Sequence, residues 1–145
     1  MKPYPTQQLV FYVDEEADDS IRNAVHEMIE ELSSAREWLL GPPEFIDEVD
    51  DPETDSAEDL PIETVGGVLE IYSALAPISL LKDLDAMHYR EVVAIVEAVK
   101  KISRSEKITF DFELDGVFVG LVKDGKINKT LQSGLLDPWR EHLGL

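Results

Sequence analysis

The chain contains no cysteine. That absence excludes a disulfide framework, a thiol nucleophile and a Cys-ligated zinc site. Basic side chains are missing from a long internal stretch, with no Lys, Arg or His between Arg36 and Lys82. Long hydrophobic runs are missing as well. The apolar run nearest the N-terminus covers only residues 9–13. It is too short for the apolar region of a signal peptide or for a membrane span, so the expectation is a cytoplasmic protein without a membrane anchor. No phosphate-cradling glycine loop exists, because Gly66-Gly67 stands alone. No Gly-x-Ser-x-Gly surrounds Ser133. No internal repeat is visible.

What is present is acid. Residues 44–59 hold nine carboxylates in sixteen positions, and the whole chain has a net charge of −18. The excess is unevenly placed. Residues 1–36 carry net −5, residues 37–81 net −12 and residues 82–145 net −1. Such a field repels phosphate backbones and anionic membrane surfaces, which argues against nucleic acid and lipid as direct partners. Cations and basic protein surfaces are the favoured ones. With 145 residues, 43% hydrophobic and 30% charged, the chain reads as one globular α+β domain, residues 1–145, with an acidic loop insert at 42–61. A chain of this size buries about 68–70% of its unfolded surface, so its core needs no metal or disulfide.

The local patterns give an element order. Gln8-Leu-Val-Phe-Tyr-Val13 reads as a strand covered on both faces. Ile21, Val25, Met28, Ile29, Leu32, Ala35 and Leu39 then recur at three- and four-residue steps, one stripe of a helix. Asp18, Asp19 and Ser20 suit its N-cap, and Gly41 with Pro42-Pro43 suits its end. Residues 42–61, framed by prolines and bearing one sign of charge, predict a solvated irregular loop over 44–59. Gly67-Val-Leu-Glu-Ile-Tyr-Ser73 reads as a second strand. Asp83 and Asp85 open a second helix with Tyr89, Val92, Val93, Val96, Val99 and Ile102 inward, and with Lys100 and Lys101 in its last turn.

A hairpin follows. Ile108, Phe110, Phe112 and Leu114 alternate with polar residues, and Asp115-Gly116 is a two-residue turn signal. A tight turn there sets Leu114 opposite Val117, Phe112 opposite Val119 and Phe110 opposite Leu121. Phe110, Phe112, Leu114, Val119 and Leu121 would then share the buried face, and Asp111 and Glu113 would point the other way. Asp124-Gly125 is a second turn. Asp137-Pro138 through Gly144 carries the Asp-first, Pro-next, Gly-last signature of a short helix. The order β-α-loop-β-α-β-β-α predicts a two-layer sandwich. A small, mostly antiparallel sheet of about four strands is covered by two amphipathic helices and a short C-terminal one.

Candidate chemistry is sparse. An EF-hand loop starting at Asp47 has Val49 at its third position, and one starting at Asp14 or Asp51 lacks the glycine at position six and the Glu at position twelve. His26 with Glu30, and His88 with Glu91, could each offer two metal ligands from one helical face, but the plain expectation is two surface imidazoles. His26-Glu27-Met28-Ile29-Glu30 has Glu where a zinc-protease motif needs its second His. No catalytic residue, cofactor or metal site is therefore expected. The candidate partner-binding residues are Glu44, Asp47, Glu48, Asp50, Asp51, Glu53 and Asp55, with Trp38 as an aromatic anchor beside them. The expected function is a small acidic module that neutralises or regulates a basic protein. A metal-dependent enzyme using His26 or His88, and a nucleic-acid mimic, are the alternatives. Small, acidic, cysteine-poor α+β domains are similar in general profile to bacterial immunity proteins, which inhibit toxic nucleases. That likeness is one of class, and no motif carries it.

Overall fold

A computed structural model describes residues 6–14, 17–50, 62–72 and 82–144. The fold is α+β, built on one antiparallel sheet of six strands in the order β2-β3-β1-β4-β5-β6. The strands are β1 (Thr6–Val13), β2 (Glu44–Asp50), β3 (Ile62–Tyr72), β4 (Phe110–Leu114), β5 (Val117–Lys123) and β6 (Lys126–Ile127). Helix α1 (Asp19–Ala35) follows β1, and α2 (Lys82–Glu106) joins β3 to β4. The C-terminal helical segment runs through α3 (Lys129–Leu131), a π-helical turn (Gln132–Leu136) and α4 (Asp137–Leu143).

The sheet exceeds the expected four strands by two. One of the additions, β2, lies inside the segment expected to be a loop. Glu44–Asp50 pairs antiparallel with β3 along its whole length, from Glu44 opposite Val68 to Asp50 opposite Ile62. The expectation of irregular backbone over 44–59 is therefore corrected for 44–50; residues 51–59 lie outside the described residues. The reason is positional. An edge strand has water on one flank, where charged side chains are tolerated and discourage pairing with another chain.

Helix α1 begins where its acids predict, with the Asp18 carboxylate accepting from the Ile21 N–H at 2.9 Å. It ends at Ala35, earlier than the stripe suggested. The hydroxyls of Ser33 and Ser34 turn back to the carbonyls of Ile29 and Glu30, and the Trp38 indole N–H donates to the Leu32 carbonyl at 3.1 Å. The Trp38 bond satisfies one of the last four carbonyls of the helix, and Gly41, at φ +108°, lies beyond its end and is no cap. Helix α2 continues past Lys100 and Lys101, which leaves Arg104 as the basic residue of its last turn. The C-terminal segment starts before Asp137. Asn128 caps it by accepting from the Leu131 N–H at 2.9 Å, while Gly144 ends it in the left-handed region, as expected.

The hairpin turns form as predicted: Asp115 and Gly116, and again Asp124 and Gly125, have positive φ. The register does not. Leu114 faces Val117, but a bulge then shifts the pairing, so that Phe112 lies opposite Gly120 and Phe110 opposite Val122. Val122 is buried, whereas Leu121 lies opposite Asp111 on the other face. Gly120 is the cause. Its φ is +144°, and an added Cβ would lie 2.3 Å from the Leu131 backbone. Only a glycine lets α3 approach the strand here, and the extra residue is absorbed as a bulge.

One hydrophobic cluster holds the structure together. It contains Leu9, Phe11 and Val13 from β1, Val65, Leu69 and Ile71 from β3, and Phe110, Phe112 and Leu114 from β4. Val25, Met28, Ile29 and Leu32 of α1 and Val92, Ile95, Val96, Val99 and Ile102 of α2 join it, with Leu131, Leu135 and Trp139 from the C-terminal segment. At Gly67 an added Cβ would meet Ile29 and Phe11, which places α1 against this face of the sheet. The helices therefore pack on the sheet face bearing the odd-numbered residues of β1.

Candidate functional site

The first candidate is the acidic edge. Glu44, Asp47 and Glu48 are exposed on β2. Their side chains divide between the two faces, because neighbours in a strand alternate. Asp47 turns toward α1, where its Oδ1 lies 3.3 Å from the Arg22 Nε. Arg22 also donates to the Ala17 carbonyl at 2.8 Å, so this ion pair ties the edge strand to the start of α1. Glu44 and Glu48 lie opposite Val68 and Thr64, on the face away from the helices. Asp50 closes the strand, and Asp51, Glu53 and Asp55 lie outside the described residues. Trp38 is half-buried at the margin of the core, with the Arg36 guanidinium 5.8 Å above its ring.

The second candidate is the sheet face that bears Glu44 and Glu48. Strand pairing sets two rows across it. One runs Glu44, Val68, Val10, Glu113, Phe118; the next runs Ile46, Gly66, Tyr12, Asp111, Leu121. Glu70 lies opposite Gln8 beside them. On this face Glu44, Glu48, Glu70, Asp111 and Glu113 are five carboxylates, and the described positions of β2, β3, β1 and β4 hold no Lys, Arg or His there. Burial first, then Asp14 and Glu113, push the Asp111 carboxyl up to about 6, while the Tyr12 hydroxyl lowers it. One Asp111 oxygen is buried without a hydrogen-bond partner among the described residues. Burial followed by Glu113, Asp111 and Asp14 pushes the Tyr12 phenol up to about 12. Beyond β4, Val117 and Phe118 are exposed at 66% and 48%, large for apolar side chains.

The histidines separate. His26 is exposed, as expected, 3.4 Å from Glu30 and with its ring 4.9 Å from that of Phe45. His88 is fully buried, which corrects the expectation of a surface imidazole. Its Nδ1 lies 2.9 Å from the Glu91 Oε1, and its Nε2 accepts from the Tyr72 N–H at 3.2 Å. Because Nε2 accepts, the ring proton sits on Nδ1 and is donated to Glu91. The other Glu91 oxygen accepts from the Leu39 N–H at 2.8 Å. Both ring nitrogens are thus committed within the protein, and the network joins the end of β3, α2 and the segment after α1. Among the described residues no group of three or more His, Asp or Glu could hold a metal ion.

Two features escaped the sequence reading. Phe118 and Val10 were not singled out, although the alternation of β4 already assigned Asp111 and Glu113 to an outward face that strands beside it had to share. The buried His88–Glu91 pair depends on Leu39, 52 positions away, and no local signal reports it.

An antiparallel six-stranded sheet with helices packed on one face and an acidic opposite face defines the class of this protein by architecture. Comparison with family models, curated proteins and solved structures returned no match. No described helix is long and apolar enough to cross a membrane.

Proposed function

We propose that this chain is a small acidic binding module that neutralises or regulates a basic protein partner, met in the cytoplasm. The observation that carries the reading is the charge map of the sheet: five carboxylates on one face of four adjacent strands, with no basic side chain among them. The acidic edge strand extends that field, and the net charge of −18 gives it reach. Opposite charge on a partner would steer encounter, raising association rates by about 10–10³-fold over the unsteered case.

The test is kinetic. Proteins captured on the immobilised chain at low salt are identified, and the association rate of each is measured over a salt series. The expected partner is basic, and its association slows at least tenfold between about 0.05 and 0.5 M salt, as the screening length contracts. Changing Glu44, Glu48 and Asp47 to Gln, Gln and Asn should slow association further and change dissociation little. A partner whose association rate ignores both salt and these substitutions would sink the proposal.

A further inference from the structure

Resting on that reading, we infer that the docking surface is the sheet face opposite the helices, and that it takes a basic amphipathic helix of the partner laid along β1 and β3. On that face Val10 and Tyr12 on β1 with Val68 on β3 form an apolar patch, Gln8 and Glu70 border it at one end, and further acids stand on both sides. Glu44 and Glu48 line one flank from β2; Asp111 and Glu113 line the other from β4. Adjacent strands lie about 4.8 Å apart, so the patch is about 10 Å wide, close to the diameter of one helix. β1 has eight residues, a length of about 27 Å, so a helix of about 18 residues laid along it would cross the apolar patch and reach the polar positions beyond it. A partner helix with a Leu or Val ridge would cover Val10 and Val68, as α1 and α2 cover the same strands from the other side. Lys and Arg on its shoulders would reach the acidic strands.

Two observations choose this occupant. Every buried apolar side chain of the described helices belongs to the one core cluster, so none of them covers this face. The acids of both flanks exclude a second copy of this chain by like-charge repulsion, and an anionic lipid surface likewise.

The probes are two synthetic 18-residue peptides of identical Leu, Lys and Gln composition, one patterned as an amphipathic helix and one scrambled. Affinity is read by fluorescence anisotropy, and contacts by amide chemical shifts of the unsubstituted protein. The patterned peptide should bind at least tenfold more tightly than the scrambled one, and shift amides of Val10, Val68, Glu113 and Asp111. Glu113→Lys should weaken it about tenfold. Glu31→Lys, the same charge change on the exposed flank of α1, should weaken it less than threefold. Equal binding of the two peptides, or equal loss from the two variants, overturns this docking site but leaves the acidic-module reading standing. Failure of both peptides to bind at low salt overturns both. A self-association of the unliganded protein abolished by Val68→Lys assigns the face to a second copy and overturns the inference.

Discussion

The two faces of the sheet are made by the same strands, yet they follow opposite rules. On one face Leu9, Phe11, Leu69, Phe110 and Phe112 are buried against helices, and the rings of Phe11 and Phe112 stack at 5.9 Å. On the other, residues one position away are Val10, Val68, Asp111 and Glu113, and burial together with the Asp14 and Glu113 carboxylates holds Asp111 back from ionising. The difference teaches that stability and recognition can be divided by the period of the strand. Substitutions at odd positions of β1 act on folding, whereas those at even positions act on charge and on whatever binds.

The largest effect should come from the helix-covered face. Phe112→Ala removes a fully buried ring from the centre of the cluster and is expected to cost about 3–5 kcal/mol. Val10→Ala, one row away on the opposite face, should cost under about 1 kcal/mol, as a half-buried position. Urea unfolding of both variants measures the contrast, and comparable losses would abolish the distinction between the faces.

The buried pair on α2 is next. His88→Ala removes one of the hydrogen bonds to the buried Glu91 carboxylate and the bond accepted from the Tyr72 N–H, at a cost of about 3 kcal/mol. Because the two side chains act as a unit, His88→Ala with Glu91→Ala should lose clearly less than the sum of the single losses. Additive losses in the same unfolding assay would show that the pair is not coupled.

At the bulge, Gly120→Ala places a Cβ where the Leu131 backbone lies and forces a positive φ on alanine. The expected loss is about 2–3 kcal/mol, together with displaced amide shifts at Leu131 and Val122. Unchanged stability would mean that the approach of α3 to β5 is not fixed by this glycine.

Much of this architecture was legible because it is local. The Asp115-Gly116 and Asp124-Gly125 turns need positive φ, and the stripe from Val25 to Leu32 can only be a helix face. The hairpin register was misjudged because a bulge is a tertiary matter: Gly120 is needed only where Leu131 arrives from eleven residues further on. Strand β2 was hidden by its own charge. Glu44, Asp47, Glu48 and Asp50 suggest repulsion when considered alone, and only the backbone of β3 makes their extended conformation worthwhile. The site residues were partly legible on the same grounds. The acids were obvious, but the grouping of Glu44 with Glu113 across four strands follows from the sheet order, which composition does not encode.

The smallest effect is the most specific to the acidic face. Asp111 titrates near 6 in the folded chain, against about 3.9 for an unperturbed Asp. Its proton is therefore held more tightly in the folded state than in the unfolded one. Between those two values the folded state carries the extra proton, so this group's contribution to stability rises as pH falls from about 6 to about 4. Above pH 6 the ionised carboxylate is partly desolvated and faces Asp14 and Glu113, and it opposes folding. Asp111→Asn removes that charge and keeps the shape. The position is open enough for solvent to screen the repulsion, so the gain should be about 1 kcal/mol at pH 7.5 rather than the full value of the shift. By about pH 4.5 the wild-type carboxyl is protonated when folded, and the advantage of Asn should vanish. Thermal unfolding of the two proteins at both pH values decides it. A stabilisation that persists unchanged at pH 4.5 would show that Asn acts by packing or hydrogen bonding, and that the crowding of carboxylates on this face does not govern Asp111.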